Sequence, residues 1–248
     1  MVSSPSEPLG RGATLVLPAV GQGNVGQLAL DLLLNTCAST GARVEACGPL
    51  RSRFVLPAVG NDAFDSSGAA GQMVSSLELY RIRDKGLVVL QVRAPIVDGA
   101  RAELAQELAR WAAEQGFARL LLLGGADSST GLEDCEVMTS ELRFCSADAP
   151  WRLQLAATGI RELAQPALPS VGRAGLLRPL LAACAAADVP AAALVLFCKE
   201  GNNVPEACQM AAAANHVLAL MAPPPAAWKP PRAWSAMEGG RIDDAMLY

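Results

Sequence analysis

Histidine is almost missing from this chain: His216 is the only one in 248 residues. With a single imidazole, histidine-based proton transfer or nucleophile activation has little to work with, and a zinc site would have to find its ligands elsewhere. Cysteine does not supply them. The seven cysteines are odd in number and include no C-x-x-C pair, which argues against both a disulfide framework and a metal knot. Aromatic residues make up 4% of the chain and charged residues 18%, with a net charge of -4. The lysines and arginines are scattered, so no basic stripe is available to follow a nucleic-acid backbone. Long apolar runs are absent too: the stretch from Gly12 to Leu30 has no charge but is broken by Pro18, Asn24 and several glycines, unlike a membrane span. The opening MVSSPSEPLGRG lacks the basic start and apolar run of a signal peptide. These absences predict no catalytic residue, no metal, no cofactor, no nucleic acid, no membrane and no small-molecule substrate.

What is present is apolar mass, 52% of residues, enough for a full core. Three sections are expected: a disordered leader over 1–12, a single α/β domain over 13–221, and a Pro/Trp-rich extension and tail over 222–248. Apolar segments at Ala13–Ala19, Ala42–Cys47, Arg53–Val59, Leu77–Arg83, Leu87–Arg93, Ala118–Leu123 and Ala191–Cys198 alternate with helical patterns. Two of them flank Asp84-Lys85-Gly86, which predicts an antiparallel hairpin. Asn24 is placed to cap a helix from Val25 to Cys37, Asp98 precedes one ending at Gly116, and Asn203 with Pro205 and Glu206 opens one reaching about Leu220. An alanine-rich helix is expected over Leu176–Ala187. Prolines at 150, 166 and 169 predict long loops across 128–171. LPAVG occurs at Leu17–Gly21 and again at Leu56–Gly60, which suggests two equivalent strand ends on one edge of the sheet. After Met221 the prolines forbid helix, and Trp228 and Trp234 are expected to anchor the extended segment on the domain's own surface.

One motif invites an enzymatic reading. Gly21-x-Gly23-x-x-Gly26 lies between a strand and a helix, and Glu45 falls 19 positions later, where a ribose-binding acid belongs in an NAD(P)-dependent oxidoreductase. Two features oppose it. Pro18 sits in what would be the central strand, and Tyr80 and Lys85 have the wrong spacing for a helical Tyr-x-x-x-Lys pair. Hydrolase and phosphate-loop motifs fare no better: there is no Gly-x-Ser-x-Gly, and Gly124-Gly125-Ala126-Asp127 has no lysine.

The wording of several segments points elsewhere. Pro18-Ala19-Val20, then Gly23-Asn24-Val25-Gly26-Gln27 running on to Leu32, then Val59-Gly60-Asn61, Glu200-Gly201-Asn202-Asn203-Val204-Pro205-Glu206-Ala207 and Trp228-Lys229-Pro230-Pro231 with Trp234 resemble the proteasome assembly chaperone family from about residue 14 onward. The resemblance implies an α/β fold: a three-layer α/β/α sandwich with a mixed, largely parallel sheet, phosphorylase/hydrolase-like but without a hydrolytic site. It implies a non-catalytic chaperone of the cytoplasm and nucleus that forms a heterodimer with proteasome assembly chaperone 1, binds proteasome α subunits and favours correct α-ring assembly over off-pathway association. Within that pattern Gly23 and Gly26 shape a strand-to-helix turn, Asn24 caps the helix, and Gly21 completes a G-x-G-x-x-G by local composition. Chaperones of this group can dock a hydrophobic-Tyr-x tail. Here the candidate partner-binding tail is Met246-Leu247-Tyr248, with tyrosine last and not penultimate.

Overall fold

The computed structural model describes residues 8–61, 73–129, 140–163 and 174–236. Among these residues ten strands and five α-helices follow one another as β1 (Thr14–Pro18), α1 (Val25–Ser39), β2 (Val44–Pro49), β3 (Val59–Asn61), β4 (Met73–Ser75), β5 (Leu77–Ile82), β6 (Leu87–Val92), α2 (Arg101–Glu114), β7 (Arg119–Asp127), β8 (Leu142–Ser146), α3 (Ala149–Ala156), β9 (Arg161–Glu162), α4 (Leu177–Ala186), β10 (Ala191–Cys198) and α5 (Val204–Leu218). Eight strands form one sheet in the order β2-β5-β6-β1-β7-β10-β8-β9, and β3 and β4 form a separate antiparallel ribbon. The central run β6-β1-β7-β10 is parallel throughout, while β2, β5 and β8 join antiparallel. The sheet is therefore mixed and largely parallel.

Alternation along the strands builds the layers. Leu15, Leu17, Leu120, Leu122, Ala193 and Val195 face the core under α2 and α4, whereas Val16, Leu121, Leu123, Leu194 and Leu196 face the core under α1, α3 and α5. Strands covered on both faces must be apolar at every position, which is why LVVLQV and AAALVLFC are buried from end to end. The result is the expected three-layer α/β/α sandwich. The expected hairpin is there as well: β5 and β6 pair antiparallel across a 3-10 turn at Arg83–Lys85, closed by Gly86 at φ +56°. Pro18 is accommodated because β1 pairs with β6 only as far as Val16. On the other side Ala19 N donates to the Leu123 carbonyl at 2.8 Å and extends the β7 ladder.

Several expectations fail for identifiable reasons. The stretch from Arg53 to Val59 is no strand: Val55 makes one isolated bridge to Ile96, and the strand begins only at Val59. The two LPAVG segments are therefore not equivalent, since one ends β1 and the other leads into the small ribbon. Within 128–171, the described part contains β8, α3 and β9 where loops were expected. Pro150 was misleading there, because in the first turn of α3 its missing N–H leaves no helical bond unmade, and the Asp148 carboxylate accepts from Trp151 N at 2.9 Å as the cap. Residues 8–12, read as leader, are pinned: Gly10 N and Gly12 N donate to the carbonyls of Gln115 and Gly116, and Leu9 N to Gln115 Oε1.

Candidate functional site

In an open α/β sheet the crevice beyond the carboxyl ends of the parallel strands is the usual ligand site. Here it brings together the segments 18–27 and 200–207, which are distant in sequence. Gly26 lies directly on the Leu123 carbonyl, so a methyl group there would overlap the β7 backbone. Gly125 of β7 lies on the Gln22 carbonyl in the same way, and Cys198 Sγ approaches that carbonyl at 3.6 Å. Gly23, at φ +64°, sits beneath Asn203, whose amide would meet an added Cβ at 2.5 Å. Asn203 Nδ2 in turn donates to the carbonyls of Lys199 and Gly201, fixing the loop before α5. Val20, at φ +46°, adds a left-handed β-branched residue, an arrangement that costs of order 1–3 kcal/mol unless its surroundings impose it. The Leu176 N–H bond to the Ala19 carbonyl at 2.5 Å and the approach of Gly175 to the Val20 carbonyl do impose it.

Gly26 thus serves close packing of α1 on β7, and Gly23, whose backbone would have to approach a pyrophosphate, is covered by the Asn203 side chain. Glu45 is also in the wrong place: β2 is the edge strand, three positions from β1, or about 14 Å at ordinary strand spacing. It pairs with Arg83 Nε at 2.7 Å. Asn24 is not the helix cap expected from the sequence. Its side chain caps no α1 amide; it adopts φ +52°, a left-handed conformation that asparagine tolerates, and Oδ1 accepts from Gln27 Nε2 at 3.4 Å. His216 is exposed in the last turn of α5.

A second constellation crosses α1. Trp228 and Trp234 are buried, 8% and 3% exposed, in the core shared by α1 and α5. Asn35 Nδ2 donates to the carbonyls of Lys229 at 3.0 Å and Pro230 at 2.9 Å, and Lys229 N donates to Thr36 Oγ1 at 3.0 Å. Trp234 Nε1 reaches Asp31 Oδ2 at 3.4 Å. Asp31 is the hub: it accepts from Gln91 Nε2 at 2.7 Å and pairs with Arg93 at 2.9 Å, nearly out of solvent. Burial opposes the charge on Arg93, but Asp31 and Tyr80 beside it together outweigh that and raise the guanidinium pKa. The sequence reading placed the tryptophans but not these partners. A usable signal existed, since Asp31 interrupts LALDLLL and Gln91 interrupts LVVLQV, and a polar residue in a buried run needs a partner. The tail residues Met246, Leu247 and Tyr248 lie outside the described residues. Among the described residues no three potential metal ligands cluster, and no helix is long and apolar enough to cross a membrane.

The pattern of the PAC2 family matches residues 15–222. The chain belongs to the PAC2 family. A relative called proteasome assembly chaperone 2, from Danio rerio, is 31% identical over 257 residues, covering 97% of this chain and 96% of its own length. The Nematostella vectensis protein of that name is 33% identical over 214 residues, covering 80% and 86%. The human one is 24% identical over 257 residues, covering 95% of each. Among solved structures, Pyrococcus furiosus PbaA, described as an archaeal homolog of proteasome-assembly chaperone, superposes with a TM-score of 0.66 at 15% identity, covering 89% of this chain and 86% of its own. P. furiosus PbaB, described as an archaeal proteasome activator, gives 0.60 at 14%, covering 89% of each. At those identities the likeness establishes the fold of this PAC2-family chain and nothing more.

Proposed function

We propose that this chain is a non-catalytic proteasome assembly chaperone, which pairs with proteasome assembly chaperone 1 and promotes formation of the α ring of the core particle while opposing off-pathway ring association. The observation that carries the reading is the near end-to-end similarity to relatives bearing the chaperone's name. The Asn203 side chain over Gly23 and the place of Glu45 on the edge strand disfavour the dinucleotide alternative. Cytoplasm and nucleus, where proteasomes assemble, are the compartments this role requires.

The C-terminal tail is proposed as an accessory contact. Burying Leu247 and Tyr248 would gain roughly 3–6 kcal/mol before the cost of ordering the segment, and about 4 kcal/mol corresponds to millimolar binding. Alone it would bind weakly; it counts once the body is also engaged and insertion becomes intramolecular. Affinity capture of the full chain from cell extract tests the whole reading. Recovery of α-type proteasome subunits with a related chaperone is expected, and recovery of neither overturns it. In a second arm, a chain lacking 246–248 should recover less α subunit, and equal recovery removes the tail from the account.

A further inference from the structure

At the opposite end of the sheet from the glycine turn, the lip formed by residues 8–13 crosses the N-terminal ends of β1 and β6 and encloses a cleft of about 270 Å³. Three arginines line it: Arg11 from the lip, Arg81 from β5 and Arg83 from the turn after it. The lip is preformed. Arg81 donates through Nη2 to the Leu9 carbonyl at 3.0 Å, and Gln115 with Gly116 hold Leu9, Gly10 and Gly12 by the backbone bonds described above. Arg83 contributes the Glu45 ion pair at one rim. Three guanidinium groups and one paired carboxylate leave the cleft positive in a chain whose net charge is -4.

We propose that this cleft binds an acidic segment of a partner polypeptide, seating a carboxylate among Arg11, Arg81 and Arg83. Guanidinium presents a planar fork that matches a carboxylate with two parallel bonds. The cleft lies below the roughly 300–1,000 Å³ of pockets that enclose whole small molecules, which suits a guest the size of a side chain. A phosphate can meet the same guanidinium forks, so inorganic phosphate is the competitor that separates the two ligands. The site is independent of the proposed chaperone role, because it needs neither the tail nor the α1 surface.

The test is fluorescence anisotropy of a labelled octapeptide of leucines and paired glutamates, titrated with the full chain at ionic strengths of about 0.02 M and about 0.15 M. Saturable binding that weakens with salt is expected, with a loss of at least about fivefold in Arg11→Glu and in Arg83→Glu. Arg101→Glu, at the far end of α2, makes the same charge change outside the cleft and should bind as the parent does. Unchanged thermal unfolding of each variant assures that the loss is local. No saturable binding, or equal loss in Arg101→Glu, overturns the site. Displacement of the peptide by inorganic phosphate at matched charge concentration overturns the polypeptide as its ligand.

Discussion

A methyl group is the smallest probe of the glycine turn. Adding one at Gly26 drives it into the Leu123 carbonyl, a backbone atom of a central strand that has no room to move. Gly26→Ala is therefore expected to cost at least about 1–3 kcal/mol, read as a lower urea midpoint. Gly21, at φ -117°, uses a conformation open to any residue, so Gly21→Ala should cost clearly less. The cysteines give a second test at this scale. Burial pushes the thiols of Cys37, Cys198 and Cys208 up to about 11 and those of Cys145 and Cys184 to about 12. Since only the thiolate attacks an alkylating agent, a raised pKa and burial act in the same direction and protect these five. Cys47 is shifted upward as well, yet it is exposed. Peptide mapping after iodoacetamide treatment of the folded protein at pH 7.5–8, roughly one unit below the ordinary thiol range, should find Cys47 labelled and those five not. All should react in denaturant. Labelling of Cys184 ahead of Cys47 would contradict the described packing.

At the scale of elements, the notable contact is between a helix and a proline-rich strap that could not be one. Residues 228–234 lie across α1 because three of its side chains, Asp31, Asn35 and Thr36, share one face and each meets the strap. Removing Asp31 does two things at once: it leaves the Arg93 guanidinium buried without its carboxylate and it releases the Trp234 indole. Asp31→Ala is expected to lose about 3–5 kcal/mol, with Trp fluorescence shifted to the red. Trp234→Ala should cost a similar roughly 3–5 kcal/mol through lost packing, but without stranding a charge. If Asp31→Ala unfolds at the parent's urea midpoint, the hub contributes nothing. Elements were read from the sequence where periodicity spoke without interference. The helices α1, α2, α4 and α5, the hairpin of β5 with β6 and the buried strands β7 and β10 follow from apolar spacing and end signals. The reading failed around Pro150, where the same residue can stop a helix or start one, and only the cap on Trp151 N decides between them.

At the scale of the whole molecule, α1 and α5 pack their buried residues on the sheet and under the strap, and Leu56, Val59, Met73 and Leu153 are the large hydrophobic residues left exposed among those described. The domain absorbs its own apolar surface in two cores, one on each face of the sheet. The remaining rival, nicotinamide binding, is a whole-molecule question as well, because it needs a turn and an acid brought together by strand order. With β2 at the edge they are apart. Titration with NADH followed by its fluorescence should show no saturable change, and a saturable signal lost in Glu45→Gln would restore the enzymatic reading.

The amino-acid sequence by itself determined the class of fold and the family, because apolar periodicity fixes which segments are helix or strand and the segments 23–27 and 200–207 are distinctive as written. Tertiary structure alone decided what those segments do. Strand order is set by packing of layers and not by order along the chain, so only the assembled sheet shows Glu45 at an edge, Gly23 beneath Asn203, and Asp31 holding Arg93 and Trp234 together. Each of these is a relation between residues far apart in sequence, and no local pattern encodes such a distance.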